Sequence, residues 1–177
     1  MRIGRVLPFV ERYPDARLLD IGCEREAHLL RKLEPHIFFG VGIDFKAPVI
    51  DTPTLKTFFT VLDRRLPFDD AYFDVVTMLA MLEHLHHPVD IMREISKVLR
   101  PGGDLVLTVP SWYAKPVLEF HSYRISIINP DEIRDHKRYF NREDLVRLVA
   151  DVGGLELTHH AYFQWRFNNL LFVTRRP

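Results

Sequence analysis

The stretch Arg17-Leu18-Leu19-Asp20-Ile21-Gly22-Cys23 decides the fold. A short, mostly apolar run that stops at a glycine is the pattern of a buried strand entering a tight turn. Asp20 within it either braces that turn or shapes a ligand loop. Beyond Gly22, Ala27, Leu29, Leu30 and Leu33 recur at helical spacing and Pro35 stops the run, which predicts a helix from Glu24 to about Leu33.

The same alternation continues outward. Ile37 to Ile43 is apolar and closed by Asp44, and Thr57 to Leu62 forms a third predicted strand. Phe73 to Met78, rich in β-branched residues, forms a fourth. Ile91, Met92, Ile95, Val98 and Leu99 then share one helical face, with Arg93, Glu94 and Lys97 outside it. Arg100 falls in the last turn of that helix, and Pro101-Gly102-Gly103 is expected to end it. Leu105 to Val109 is the fifth strand, ended by Pro110. Asn141 is placed to cap a helix, with Asp144 at the third position after it.

Two last strands, Leu155 to His159 and about Leu170 to Thr174, have an aromatic-rich bend between them but no helix. They are expected to pair as an antiparallel hairpin at one edge. The fold class is therefore α/β, Rossmann-like: a mostly parallel seven-stranded sheet with helices on both faces and a C-terminal antiparallel edge hairpin. No repeat or linker breaks residues 1–177, so a single domain is expected.

Composition narrows the function classes. Twenty-four Lys and Arg balance twenty-four Asp and Glu, so no global field draws nucleic acid or an anionic membrane. No apolar run approaches the ~18 residues of a membrane span, and the N-terminus lacks the apolar core of a secretory signal. A cytoplasmic location is expected. The one cysteine rules out an internal disulfide framework and a multi-cysteine zinc site. His84, His86 and His87 sit beside Pro88, off the spacing that metal ligands need, so no metal is expected.

In this order and spacing, a series of pieces resembles the class I S-adenosylmethionine-dependent methyltransferases, in their small-molecule, type 11-like branch. Leu18-Leu19-Asp20-Ile21-Gly22-Cys23 is similar to their first strand and glycine loop, and Val41-Gly42-Ile43-Asp44 to their second strand with its acidic end. Leu66-Pro67-Phe68-Asp69-Asp70 with Phe73-Asp74-Val75-Val76 resembles the approach to strand four. Glu83-His84-Leu85, His87-Pro88 and Leu99-Arg100-Pro101-Gly102-Gly103 complete the series. The resemblance covers roughly Arg17 to Pro110.

It implies S-adenosylmethionine as cofactor and S-adenosylhomocysteine as product. Asp20, Gly22 and Cys23 would form the cofactor loop, and Asp44, 22 positions after Gly22, would accept the ribose hydroxyls, with Phe45 beside it. Leu62 and Asp63 would lie at the adenine, and Leu79 and Ala80 next to the sulfonium. His84, His136 and Tyr139 are the base or orienting candidates. Ser111 to Phe140, with Trp112, Tyr113, Phe120 and Tyr123, is expected to cover a small-molecule acceptor, or alternatively to pack as a cover or dimer surface. Nucleic-acid and membrane partners are not expected, and a homodimer is one expected assembly. With sixteen residues ahead of Arg17, the site is expected to be open, completed by another subunit, or shaped for a large acceptor.

One departure stands out. The family's loop reads Asp-x-Gly-x-Gly-x-Gly, whereas here Glu24 and Glu26 replace the second and third glycines. They remove freedom at positive φ and place negative charge where the methionine carboxylate would lie. Arg25 could offset that charge. Two readings follow: a methyltransferase with a modified loop, or a non-catalytic binding or scaffold subunit of the same fold. A nicotinamide-dependent oxidoreductase is disfavoured because no Gly-x-Gly-x-x-Gly follows the first strand.

Overall fold

The computed structural model describes residues 3–112, 139–163 and 167–177. Seven strands form one sheet: β1 (Arg17–Ile21), β2 (Phe39–Asp44), β3 (Leu55–Phe59), β4 (Phe73–Leu79), β5 (Leu99–Pro110), β6 (Leu155–Phe163) and β7 (Asn168–Arg175). Their order is β3-β2-β1-β4-β5-β7-β6. The first five pair in parallel, while β7 runs antiparallel to both β5 and β6. The expected parallel sheet with an antiparallel C-terminal hairpin is therefore present.

Strand alternation sorts the apolar residues onto two faces. Leu19, Ile21, Val76, Met78, Leu105 and Leu107 meet the apolar stripes of α3 (Pro88–Val98) and α4 (Arg142–Val152). Leu18, Val75, Val106 and Phe172 face the other way, toward α1 (Ile3–Val10) and α2 (His28–Leu33). Each such buried aliphatic side chain contributes about 1.5–3 kcal/mol. The capping box expected at α4 is formed: Asp144 N–H donates to Asn141 Oδ1 at 2.8 Å and Asn141 N–H to Asp144 Oδ2 at 3.0 Å.

Several expectations need correction. α1 was not anticipated; it carries Pro8 inside its eight residues, and Val6 and Val10 bury fully against the sheet. The helix expected from Glu24 begins only at His28, since Glu24 and Ala27 take left-handed backbone angles that no helix accommodates. β3 spans Leu55–Phe59 rather than Thr57 to Leu62, pulled forward by the burial of Leu55 on the α2 side.

Pro101-Gly102-Gly103 does not end α3. That helix stops at Val98, Leu99 already pairs with Phe73, and Arg100 to Gly103 bulge out before Asp104 pairs with Val75. A Cβ on Gly103 would meet the Asp74 carbonyl at 2.9 Å, so this bulge requires glycine there. The last two strands are also longer than expected, because β6 and β7 stay paired out to Phe163 and Asn168, across a bulge between Leu157 and His159.

Candidate functional site

In an open parallel sheet, ligands bind beyond the carboxyl ends of the strands, where the order reverses. Here β1 lies between β2 and β4, so the switch point joins Gly22, Asp44 and Ala80. Gly22 has φ +84°, and a Cβ there would press to 3.3 Å from the Met81 side chain. Its N–H donates to the Ile43 carbonyl at 2.8 Å, tying the turn to the end of β2.

Asp44 fastens the two walls of this cleft together. Its Oδ2 accepts from Glu24 N–H at 3.1 Å and its Oδ1 from Lys46 N–H at 2.7 Å. A carboxylate has about four lone-pair sites, so one remains on each oxygen. Those acceptor sites fit a ligand with two neighbouring hydroxyls, as a ribose carries. Asp20 is buried one strand away and accepts from the Thr77 hydroxyl at 2.7 Å. Burial pushes its carboxyl up to about 7, with the charges of Glu24 and Asp44 adding to the rise and the Thr77 bond opposing it.

The other anticipated residues divide around this centre. Cys23 is buried, its Sγ close to Gly42, and burial pushes its thiol up to about 12, so it packs rather than reacts. Phe45 is exposed, with Lys46 Nζ 4.5 Å from its ring centre. Leu62 is half-buried against the core, whereas Asp63 is 73% exposed and lies 3.7 Å from His87 Nε2. Leu79 packs at the end of β4, and Ala80, at φ +57°, donates its N–H to the Thr108 carbonyl at 2.9 Å.

His84 stands in the 3-10 turn Leu82–His84, partly exposed, with Nε2 4.0 Å from the buried Glu83 carboxylate. Tyr139 is half-buried, and its ring lies 6.2 Å from that of Trp112. His136 falls outside the described residues, as do Tyr113, Phe120 and Tyr123. Glu24 does hold a left-handed angle, φ 60°, but Glu26 does not; Ala27, at φ 47°, takes the second strained position instead. Glu26 turns outward to His28, 2.5 Å away.

Three further residues shape the site. Thr77 is the one hydroxyl in an apolar strand, which was the available signal. Met81 fills the space left by Gly22. Asn169, fully buried in β7, donates to the Phe140 carbonyl at 3.0 Å, and its Oδ1 meets His160 Nε2 at 2.9 Å. With the Ser111–Phe140 bridge, it fastens both ends of the segment that joins β5 to α4 at the carboxyl edge of the sheet.

Known proteins share this fold and place the chain in a family. A methyltransferase-domain family profile matches residues 2–160. The 27-O-demethylrifamycin SV methyltransferase of Amycolatopsis mediterranei is 30% identical over 69% of this chain and 52% of its own length. A tRNA U34 carboxymethyltransferase of Pseudoalteromonas translucida is 32% identical over 58% of this chain and 34% of its own. The chain thus spans about half or less of the length of these relatives. Among solved structures, a chain from the complex of the Haloferax volcanii Trm112 methyltransferase activator with a methyltransferase superposes with a TM-score of 0.73. That match has 18% identity and covers 99% of this chain and 94% of that one. The family profile and the strand order, with its reversal between β1 and β4, together make this chain a member of the class I S-adenosylmethionine-dependent methyltransferases.

Proposed function

We propose that the chain transfers a methyl group from S-adenosylmethionine to a small-molecule acceptor. The observation that carries this reading is Asp44: a buried carboxylate at the end of β2, held by two backbone N–H groups, with acceptor capacity left for two hydroxyls. The cofactor supplies an electrophilic methyl group; the protein's share of the work is orientation. Asp44 would accept the ribose hydroxyls, Gly22 and Cys23 would lie along the amino-acid portion, and Phe45, Leu62 and Asp63 would border the adenine. Leu79 and Ala80 would stand beside the reacting centre.

The segment from Ser111 to Phe140 is assigned to acceptor binding because its fastened ends bring Trp112 and Tyr139 to the carboxyl edge of the sheet. The similarity to a methyltransferase named for a rifamycin acceptor supports a small molecule. Where the acceptor must lose a proton, His84 is the base nearest the end of β4, with Tyr139 and His136 as orienting groups.

A second reading, a non-catalytic binding subunit, is favoured by one feature: Glu24 stands at a left-handed position that the family gives to glycine. Calorimetric titration with S-adenosylmethionine and with S-adenosylhomocysteine separates the two. Micromolar binding that is lost in Asp44→Ala, with the variant still folded, is the expected result. No heat with either ligand would leave the binding-subunit reading in its place. A later acceptor screen includes small phenols, macrocycles and a tRNA transcript, with methyl incorporation as the readout.

A further inference from the structure

Two buried carboxylates, Asp20 and Asp44, stand at the switch point, and Glu24 lies beside them in the loop after Gly22. Asp20 accepts a hydroxyl, Asp44 accepts two backbone N–H groups, and Glu24 is close enough to both to raise the cost of ionising Asp20. Among the described residues, none of the three takes part in an ion pair. Two of the neighbouring basic groups are engaged elsewhere: His28 pairs with Glu26 outside the cleft, and Lys46 lies over the Phe45 ring. Nor does α2 offset the negative charge, being six residues long with Ala27 as its uncapped start.

We infer that this cleft selects adenosyl ligands by positive charge and that Glu24 is the residue that sets the preference. The inference rests on the cofactor site proposed above. A sulfonium and an ammonium are attracted to the three carboxylates, while a ligand carboxylate is repelled at the loop where Glu24 replaces glycine. Donor and product therefore differ in affinity through charge alone: S-adenosylmethionine carries a net charge of +1 and S-adenosylhomocysteine none. Decarboxylated S-adenosylmethionine, at +2, becomes the tightest of the three. With partial screening by water, each unit of charge corresponds to roughly five- to tenfold in affinity.

The test is calorimetric titration of the full chain with all three ligands at pH 8, in low salt and in 0.5 M salt. The expected order is decarboxylated S-adenosylmethionine, then S-adenosylmethionine, then S-adenosylhomocysteine. High salt and Glu24→Gln should both compress the spread by several-fold, while Glu24→Asp preserves it. Equal or tighter binding of S-adenosylhomocysteine, or a spread undiminished in Glu24→Gln, would overturn the charge preference and leave the cofactor site intact. Absence of binding by all three ligands to folded protein would overturn both readings.

Discussion

The two ends of the sheet treat buried acids in opposite ways. At the amino ends of the strands, Asp74 accepts from Arg17 N–H and from Arg100 Nη1, both at 2.8 Å. Asp104 collects Arg12 Nη1 at 3.1 Å, the Tyr13 hydroxyl at 3.0 Å and the Thr174 hydroxyl at 2.7 Å. At the carboxyl ends, Asp20 and Asp44 pair with no cation among the described residues. A buried carboxylate is costly unless it is paired and hydrogen-bonded. The paired end is thus built for stability, while the other holds its acids by neutral hydrogen bonds and, at Asp20, by a raised carboxyl. Burial and the Asp104 charge also hold the Tyr13 hydroxyl well above its usual range, so it stays a donor.

Asp104→Ala tests the stabilising end and should have the largest effect. It strips the acceptor from one guanidinium and two hydroxyls that join α1, β5 and β7. Discounting Arg12, which is 60% exposed, the loss should be about 3 kcal/mol. In thermal unfolding that appears as a fall of about 6–12 °C. A drop no larger than that of an exposed substitution would remove the distinction between the two ends.

Asp20→Asn probes the opposite end and should have a smaller, pH-dependent effect. The folded state holds the Asp20 proton up to about pH 7, whereas the unfolded chain releases it near pH 4. Unfolding therefore releases a proton in that window, and stability falls as pH rises through it. Above pH 7 the whole penalty is present. The native protein should lose about 1–2 kcal/mol between pH 5 and pH 8 that Asp20→Asn does not lose, read as urea midpoints at each pH. Parallel pH profiles for the two proteins would mean that Asp20 is not the strained acid.

Much of this architecture was legible because it rests on local patterns. The run Leu18 to Gly22, the helical stripe from Ile91 to Val98 and the Asn141–Asp144 box each act within a few residues, and each stands where expected. What escaped depends on partners far away in sequence. Arg12 and Asp104 are 92 positions apart, and Asn169 lies 29 from the Phe140 carbonyl it secures. α1 forms because the sheet gives Val6 and Val10 a place to bury, which no reading of Pro8 in isolation reveals. Of the candidate site, the turn at Gly22 and the acid that ends β2 were legible, since a glycine turn and a strand-ending acid are local signatures. Thr77 was missed because its role exists only through Asp20 on the neighbouring strand.

Glu24→Gly sharpens the contrast from the loop itself and should give the smallest change, in the favourable direction. At φ 60° a residue with a Cβ is held where glycine sits at little cost, a difference of about 1 kcal/mol. The substitution also removes a charge beside Asp20 and Asp44. Against this, glycine gains backbone freedom in the unfolded chain, which offsets part of the benefit. The net expectation is a gain of roughly 0.5–1 kcal/mol in urea unfolding at pH 8, shrinking toward pH 5 as Asp20 becomes protonated. A gain independent of pH would assign the strain to the backbone alone. A loss would mean that the Glu24 side chain stabilises the loop, and that this end of the sheet is better compensated than its buried acids imply.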